Sequence, residues 1–125
     1  MELPVGLSAR VELTVTDADT AEALGSGDVP VLATPRVVAL LEAATVAATQ
    51  AALEPGQSTV GTRVELDHLA ATPIGRPVVG EAELVAVDGR RLTFTVSLRD
   101  GETVAASGRV ERVVVDRQRF LDKLR

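Results

Sequence analysis

Three side chains in this 125-residue sequence have the types that chemistry needs: Thr34, Glu42 and His68. A hydroxyl, a carboxylate and an imidazole suffice for acyl-transfer hydrolysis. The carboxylate or the ring acts as base or nucleophile, the hydroxyl orients it, and a backbone N–H holds the oxyanion. Histidine is also the side chain whose ordinary pKa suits proton transfer near neutrality, and His68 is the only one in the chain. Gly61 lies seven residues before it. A glycine there lets a substrate approach the backbone closely, and it equally suits a β-bulge. Each of the other three also has a structural reading. His68 could be a hydrogen-bonded core residue, Thr34 a helix cap, and Glu42 a solvated side chain at a seam.

Other chemistries have little support. The chain has no cysteine, which excludes thiol nucleophiles, disulfides and Cys-ligated metals, and fits a reducing cytoplasm. Asp67-His68 is too small a set for a metal site. Gly80, Gly89, Gly101 and Gly108 lack phosphate-loop spacing, and no motif calls for a cofactor. Net charge is −5, there is no basic block, and Phe94 and Phe120 are the only aromatics. A nucleic-acid surface built on cations and stacking rings is not expected. The N-terminus lacks the pattern of a signal peptide, and the apolar stretches fall short of a membrane span. Arg90-Arg91 reads as a solvated turn, and Asp17, Asp19 and Asp28 as loop chemistry.

The elements that must position these residues follow from hydrophobic patterning. One domain, 1–125, is expected at this length. Residues 7–16 alternate and predict a first strand. Residues 17–30 predict a loop with one short helical turn at Thr20–Leu24. The one long helix spans about 34–53, with Thr34 as N-cap and Pro35 at its first position. Its Val-Val-Ala-Leu-Leu run and later alanines make nearly every face apolar, which predicts burial. Glu42 sits within this run, where a carboxylate either reaches solvent or is desolvated, and desolvation favours its neutral form. Thr34 and Glu42, eight residues apart, share roughly one helix face.

Strand patterns occupy the rest. Ser58–Ala70 carries His68, with Thr62, Val64, Leu66 and His68 on one side and Arg63, Glu65 and Asp67 on the other. Pro77–Val87, Arg90–Leu98 and Glu102–Val115 follow, joined by Asp88-Gly89 and Asp100-Gly101 hairpin signals. Asp116–Leu124 predicts a short terminal helix. The order is strand, loop, buried helix and four antiparallel strands: an α+β domain whose curved sheet wraps one helix. Edge-to-edge pairing in a dimer would cover an open edge.

These residues resemble the hotdog-fold thioesterases of the fluoroacetyl-CoA thioesterase type. The resemblance runs from Leu32-Ala33-Thr34 and Leu41-Glu42-Ala43 through Leu53-Glu54-Pro55-Gly56, Val60-Gly61-Thr62 and His68 to Ala70-Ala71-Thr72-Pro73. Val87-Asp88-Gly89-Arg90-Arg91-Leu92, Ser107-Gly108, Glu111-Arg112 and Phe120 extend it. It implies a homodimeric hotdog domain, five strands around one helix, that hydrolyses acyl-CoA at the dimer interface. By position it implies a catalytic set of Thr34, Glu42 and His68, with Thr34 orienting Glu42. Gly61 would meet the thioester carbonyl, and Arg112 would match an active-site-associated arginine. The chain departs from the pattern in the lid before Thr34, where the fluoroacetyl-selective members carry phenylalanines and this chain has Gly25-Ser26-Gly27-Asp28-Val29. Val110 also stands where the fluoroacetate enzyme has His. Two other functions fit the same fold: a non-catalytic CoA or acyl-ligand module, and a hydratase of enoyl thioesters.

Overall fold

The computed structural model describes residues 2–125. Five strands, β1 (Ser8–Thr14), β2 (Gln57–His68), β3 (Pro77–Asp88), β4 (Arg91–Asp100) and β5 (Thr103–Asp116), form one antiparallel sheet in the order β1-β3-β4-β5-β2. The helices are α1 (Ala21–Leu24), α2 (Thr34–Thr49) and α3 (Arg117–Asp122). The hairpin turns form where the Asp-Gly pairs place them. Gly89 and Gly101 have φ near +60°, a conformation an L side chain rarely adopts. Asp116 caps α3 by accepting the Arg119 N–H at 2.9 Å, and Thr20 caps α1 by accepting from Ala23.

The sheet packs on α2. Val37, Leu40, Leu41 and Ala44 meet Val78, Ala82, Leu84, Leu92, Phe94, Val96, Leu98 and Val110 in one cluster, nearly all of it sealed from solvent. Burying this many apolar side chains, each contributing about 1.5–3 kcal/mol, supplies the main driving force for the fold.

The helix differs from expectation in three respects. Ala33, in extended conformation, is its N-cap and makes no side-chain cap bond. Thr34 is instead the first helical residue, and its hydroxyl is engaged elsewhere. The α-helix ends at Thr49 and tightens into a 3₁₀ turn at Gln50–Ala52. There the Thr45 and Thr49 hydroxyls donate back to the Glu42 and Thr45 carbonyls, a competition that weakens a helix end. The helix is also buried on one side only, with Ala39, Ala43, Val46 and Ala47 exposed in the single chain.

β2 is an edge strand paired only with β5. Its residues 61–65 are exposed on both faces. Opposite β5 it carries a bulge between Gly61 and Arg63, with Thr62 as the extra residue donating its hydroxyl to the Glu111 carbonyl at 3.2 Å.

Candidate active site

The start of α2 and the end of β2 meet through one short contact. Thr34 Oγ1 lies 2.8 Å from His68 Nδ1, so the hydroxyl left free by the Ala33 cap holds the ring. Nε2 is buried and has no hydrogen-bond partner among the described residues. Burial holds the His68 pKa below its ordinary 6.5, and the neighbouring Ala70 backbone acts in the opposite direction. At neutral pH the ring is therefore uncharged and able to accept a proton. The two residues face a cleft of about 240 Å³ whose walls are small or aliphatic: Ala21, Val31, Leu32, Ala33, Ala70 and Ala71.

A second cluster forms midway along α2. Glu42 Oε2 accepts from Arg112 Nη1 at 3.0 Å. Arg112, on β5, is held by Thr59: Nε donates to Oγ1 at 2.9 Å and Nη2 to the carbonyl at 3.0 Å. The guanidinium is 7% exposed and the carboxylate 34%. Arg112 is thus a fixed donor, while Glu42 is open to water or a ligand. Gly61 lies directly beneath the carboxylate, and a Cβ there would overlap Glu42 Oε2.

The bulge produces this apposition. Seven residues separate Gly61 from His68, and strict alternation puts residues an odd number apart on opposite faces. The extra residue at Thr62 shifts the parity. Gly61, opposite Arg112, then shares the helix-facing side with Val64, opposite Val110, and His68, opposite Ala106. The two readings of Gly61, bulge and close approach, are one arrangement.

The structure therefore brings the five site residues together as two groups. Thr34 touches His68, and Glu42 meets Gly61 and Arg112. Eight residues of helix, about 12 Å of rise, separate Thr34 from Glu42, and the Thr34 hydroxyl is committed to His68 rather than Glu42. Two further positions carry the site and had no signal in spacing. Thr59 anchors Arg112, and its place was hidden by the parity shift. Asp19, read as loop chemistry, is buried. Its carboxylate takes the Thr16 N–H and hydroxyl and pairs with Arg36 at 2.9 Å, and its carbonyl accepts the Ala33 N–H. Asp19 thereby clamps the first turn of α2, and Thr34 with it.

The sheet-wrapped helix with paired polar groups at the helix start and middle defines a hotdog domain of thioesterase type. Solved structures agree. The fluoroacetyl-CoA thioesterase FlK superposes with a TM-score of 0.90 at 36% identity, over 99% of this chain and 96% of that one. A thioesterase superfamily member from Thermus thermophilus superposes with a TM-score of 0.90 at 28% identity, over 98% and 91% of the two chains. A fluoroacetyl-CoA thioesterase from Streptantibioticus cattleyicolor is 44% identical over 95 residues, 76% of this chain and 68% of that protein. Residues 15–118 match the family described as FlK, fluoroacetyl-CoA-specific thioesterase, and the chain belongs to that family.

Proposed function

We propose that this chain hydrolyses acyl-CoA thioesters at a site completed by a second copy of itself. The observation that carries the reading is the Glu42 carboxylate, fixed by Arg112 over the side-chain-free backbone of Gly61 on an open strand edge. A thioester carbonyl laid on Gly61 would sit beneath that carboxylate. Glu42, directly or through a water it deprotonates, forms the new C–O bond. The carbonyl oxygen takes the negative charge against the Gly61 N–H, and the C–S bond breaks to expel the CoA thiolate. The water route yields the acid at once. The direct route leaves an acyl anhydride on Glu42, which a water then hydrolyses to the acid and free Glu42. A thiol ionises near pH 8.5, so the sulfur departs with little acid assistance. A neutral His68, held by Thr34, suits accepting a proton from water.

The two groups of residues become one site if β2 pairs with its two-fold copy. An axis midway between Gly61 and His68 sets Gly61 beside the partner's His68. The same pairing covers the unpaired edge and brings the exposed Ala39, Ala43, Val46 and Ala47 stripe of α2 against its copy. A mutant of the fluoroacetyl-CoA-specific thioesterase FlK has been solved in complex with fluoroacetate and CoA. In this chain the lid segment Gly25–Val29 is exposed throughout and has no aromatic to close the pocket, so we assign a small acyl group without fluoroacetyl selectivity. Among the described residues no helix is long and apolar enough to cross a membrane, and a chain without cysteine fits a reducing cytoplasm.

Free-thiol release across short, branched and aryl acyl-CoAs tests the assignment. Glu42→Ala and His68→Ala should each remove most turnover while leaving a folded dimer, and unchanged turnover in both would overturn it. CoA-ester binding without thiol release, or a changing enoyl absorbance without it, would assign the binding-module or hydratase function instead.

A further inference from the structure

Seven of the thirteen cationic side chains form no ion pair among the described residues, and five of these gather at one end of the sheet: Arg90, Arg91, Arg117, Arg119 and Lys123. In a chain of net charge −5, that concentration is a local reversal of sign. Three of the five, Arg90, Arg119 and Lys123, line a cleft of about 360 Å³ floored by Val113 and Val115 and flanked by the half-exposed ring of Phe120. Arg90 is oriented, its Nη1 donating to the Val114 carbonyl at 3.3 Å. The one carboxylate at the cleft, Asp116, is occupied in capping α3. Cations, an aromatic face and an aliphatic floor are what a phosphorylated nucleoside requires: charge-assisted bonds for the phosphates and stacking for the base.

We propose that this cleft binds the 3′-phosphoadenosine diphosphate end of the substrate, with Phe120 against the base and Arg90, Arg119 and Lys123 on the phosphates. The proposal rests on the acyl-CoA reading above, and the distances fit it. Four residues of β5 separate Arg112, beside Gly61, from Asp116 at the cleft, about 13 Å of strand. About thirteen bonds join the thioester sulfur of CoA to its first phosphorus, the backbone length of some four residues, or about 15 Å extended. Val113 and Val115 lie on the face of the sheet opposite the core residues Val110 and Val114, so the arm must cross the β2 edge. A two-fold pairing centred on Glu65, with the Thr62 bulge in both copies, uses residues 61–68 and leaves Gln57–Val60 open for that crossing. α3 stands at this opening, the Arg117 N–H bonded to the Gly56 carbonyl at 2.9 Å.

Arg119→Ser with Lys123→Ser should raise KM for an acyl-CoA about tenfold or more, the loss expected for charged phosphate contacts, with kcat within about twofold. KM for the matching acyl-pantetheine, which has no nucleoside, should not move. Arg10→Ser with Arg99→Ser removes the same charge elsewhere and should leave both constants unchanged. An unchanged acyl-CoA KM, an equal rise for acyl-pantetheine, or an equal rise in the control pair would each overturn the proposal. Calorimetry with adenosine 3′,5′-bisphosphate reads the cleft apart from catalysis. Binding by the parent protein that the double variant loses supports the site even if no acyl-CoA is hydrolysed, an outcome that would refute only the thioesterase reading. No binding at millimolar ligand, or equal binding by both proteins, would refute the site.

Discussion

Gly61→Ala separates the site from the fold. Gly61 does not have a positive φ, so alanine fits the backbone and reduces the freedom of the unfolded chain, a gain of about 0.4–1 kcal/mol. The added methyl meets Glu42 Oε2, with Arg112 Nη1 next at 3.3 Å. To restore ordinary contact the carboxylate must withdraw by about 1 Å, loosening its pair with Arg112. Glu42 is a third exposed, so water solvates the displaced carboxylate, the buried Arg112 keeps both of its bonds to Thr59, and loosening the pair costs about 1 kcal/mol. The two terms nearly cancel, and thermal unfolding should shift by no more than about 4 °C. Activity has no such compensation. A displacement of about 1 Å at a reacting group can cost on the order of a hundredfold, and the methyl also occupies the ground over which the carbonyl would lie. Thiol release under saturating acyl-CoA should therefore fall about a hundredfold in a protein that melts almost normally. Turnover within threefold of the parent would show that the acyl group does not lie between Glu42 and Gly61.

Two titrations give further checks. His68 is the sole histidine, so its ring resonances can be followed without assignment. The midpoint should fall below 6.5, because burial disfavours the cation, and with the folded pKa below the unfolded one, stability is complete above pH 6.5 and declines as pH falls toward the folded value. A midpoint at or above 6.5 would mean that the ring is not desolvated. Burial alone would raise the Asp19 pKa, but the Thr16 N–H, the Arg36 guanidinium and the Thr16 hydroxyl together hold it below 3.8. That stabilisation is present above pH 3.8 and lost as pH drops through the folded value. Asp19→Asn should thus cost about 1–2 kcal/mol at pH 7 and much less near pH 2.5. An equal gap in melting temperature at both pH values would rule out the charged carboxylate as its source.

Much of the architecture was legible because its signals are local. Alternation marked four of the strands and the Asp100-Gly101 turn the start of the fifth, Asp-Gly pairs marked both hairpins, and the capping aspartate marked α3. The errors lie where distant contacts decide. Thr34 has the composition of a cap, yet Ala33 caps the helix and the hydroxyl belongs to a residue 34 positions away. Asp19 has the composition of a loop residue, yet Arg36 and the backbone of Ala33 make it the clamp of the helix start. The apolar sequence of α2 indicated a fully enclosed helix, whereas the sheet covers one side only, because composition does not record how far round a helix the sheet reaches.

The site was legible by residue type and not by face. Alternation alone assigns Gly61 to the outer side of β2, away from Glu42, and Thr59 with it. Only the extra residue at Thr62, visible in the slip of register against β5, turns both inward. Deleting Thr62 would therefore test more than a loop length. With the bulge gone and the pairing of residues 63–68 kept, plain alternation leaves Gly61 opposite Arg112 and beneath Glu42. The anchor that Thr59 gives Arg112 would be kept in the same step. Thiol release should therefore survive the deletion, and its loss would show that the bulge does more than set the parity of the strand. The register against β5 thus links the strand that carries His68 to the carboxylate on the helix, and neither residue's own neighbourhood in sequence records that link.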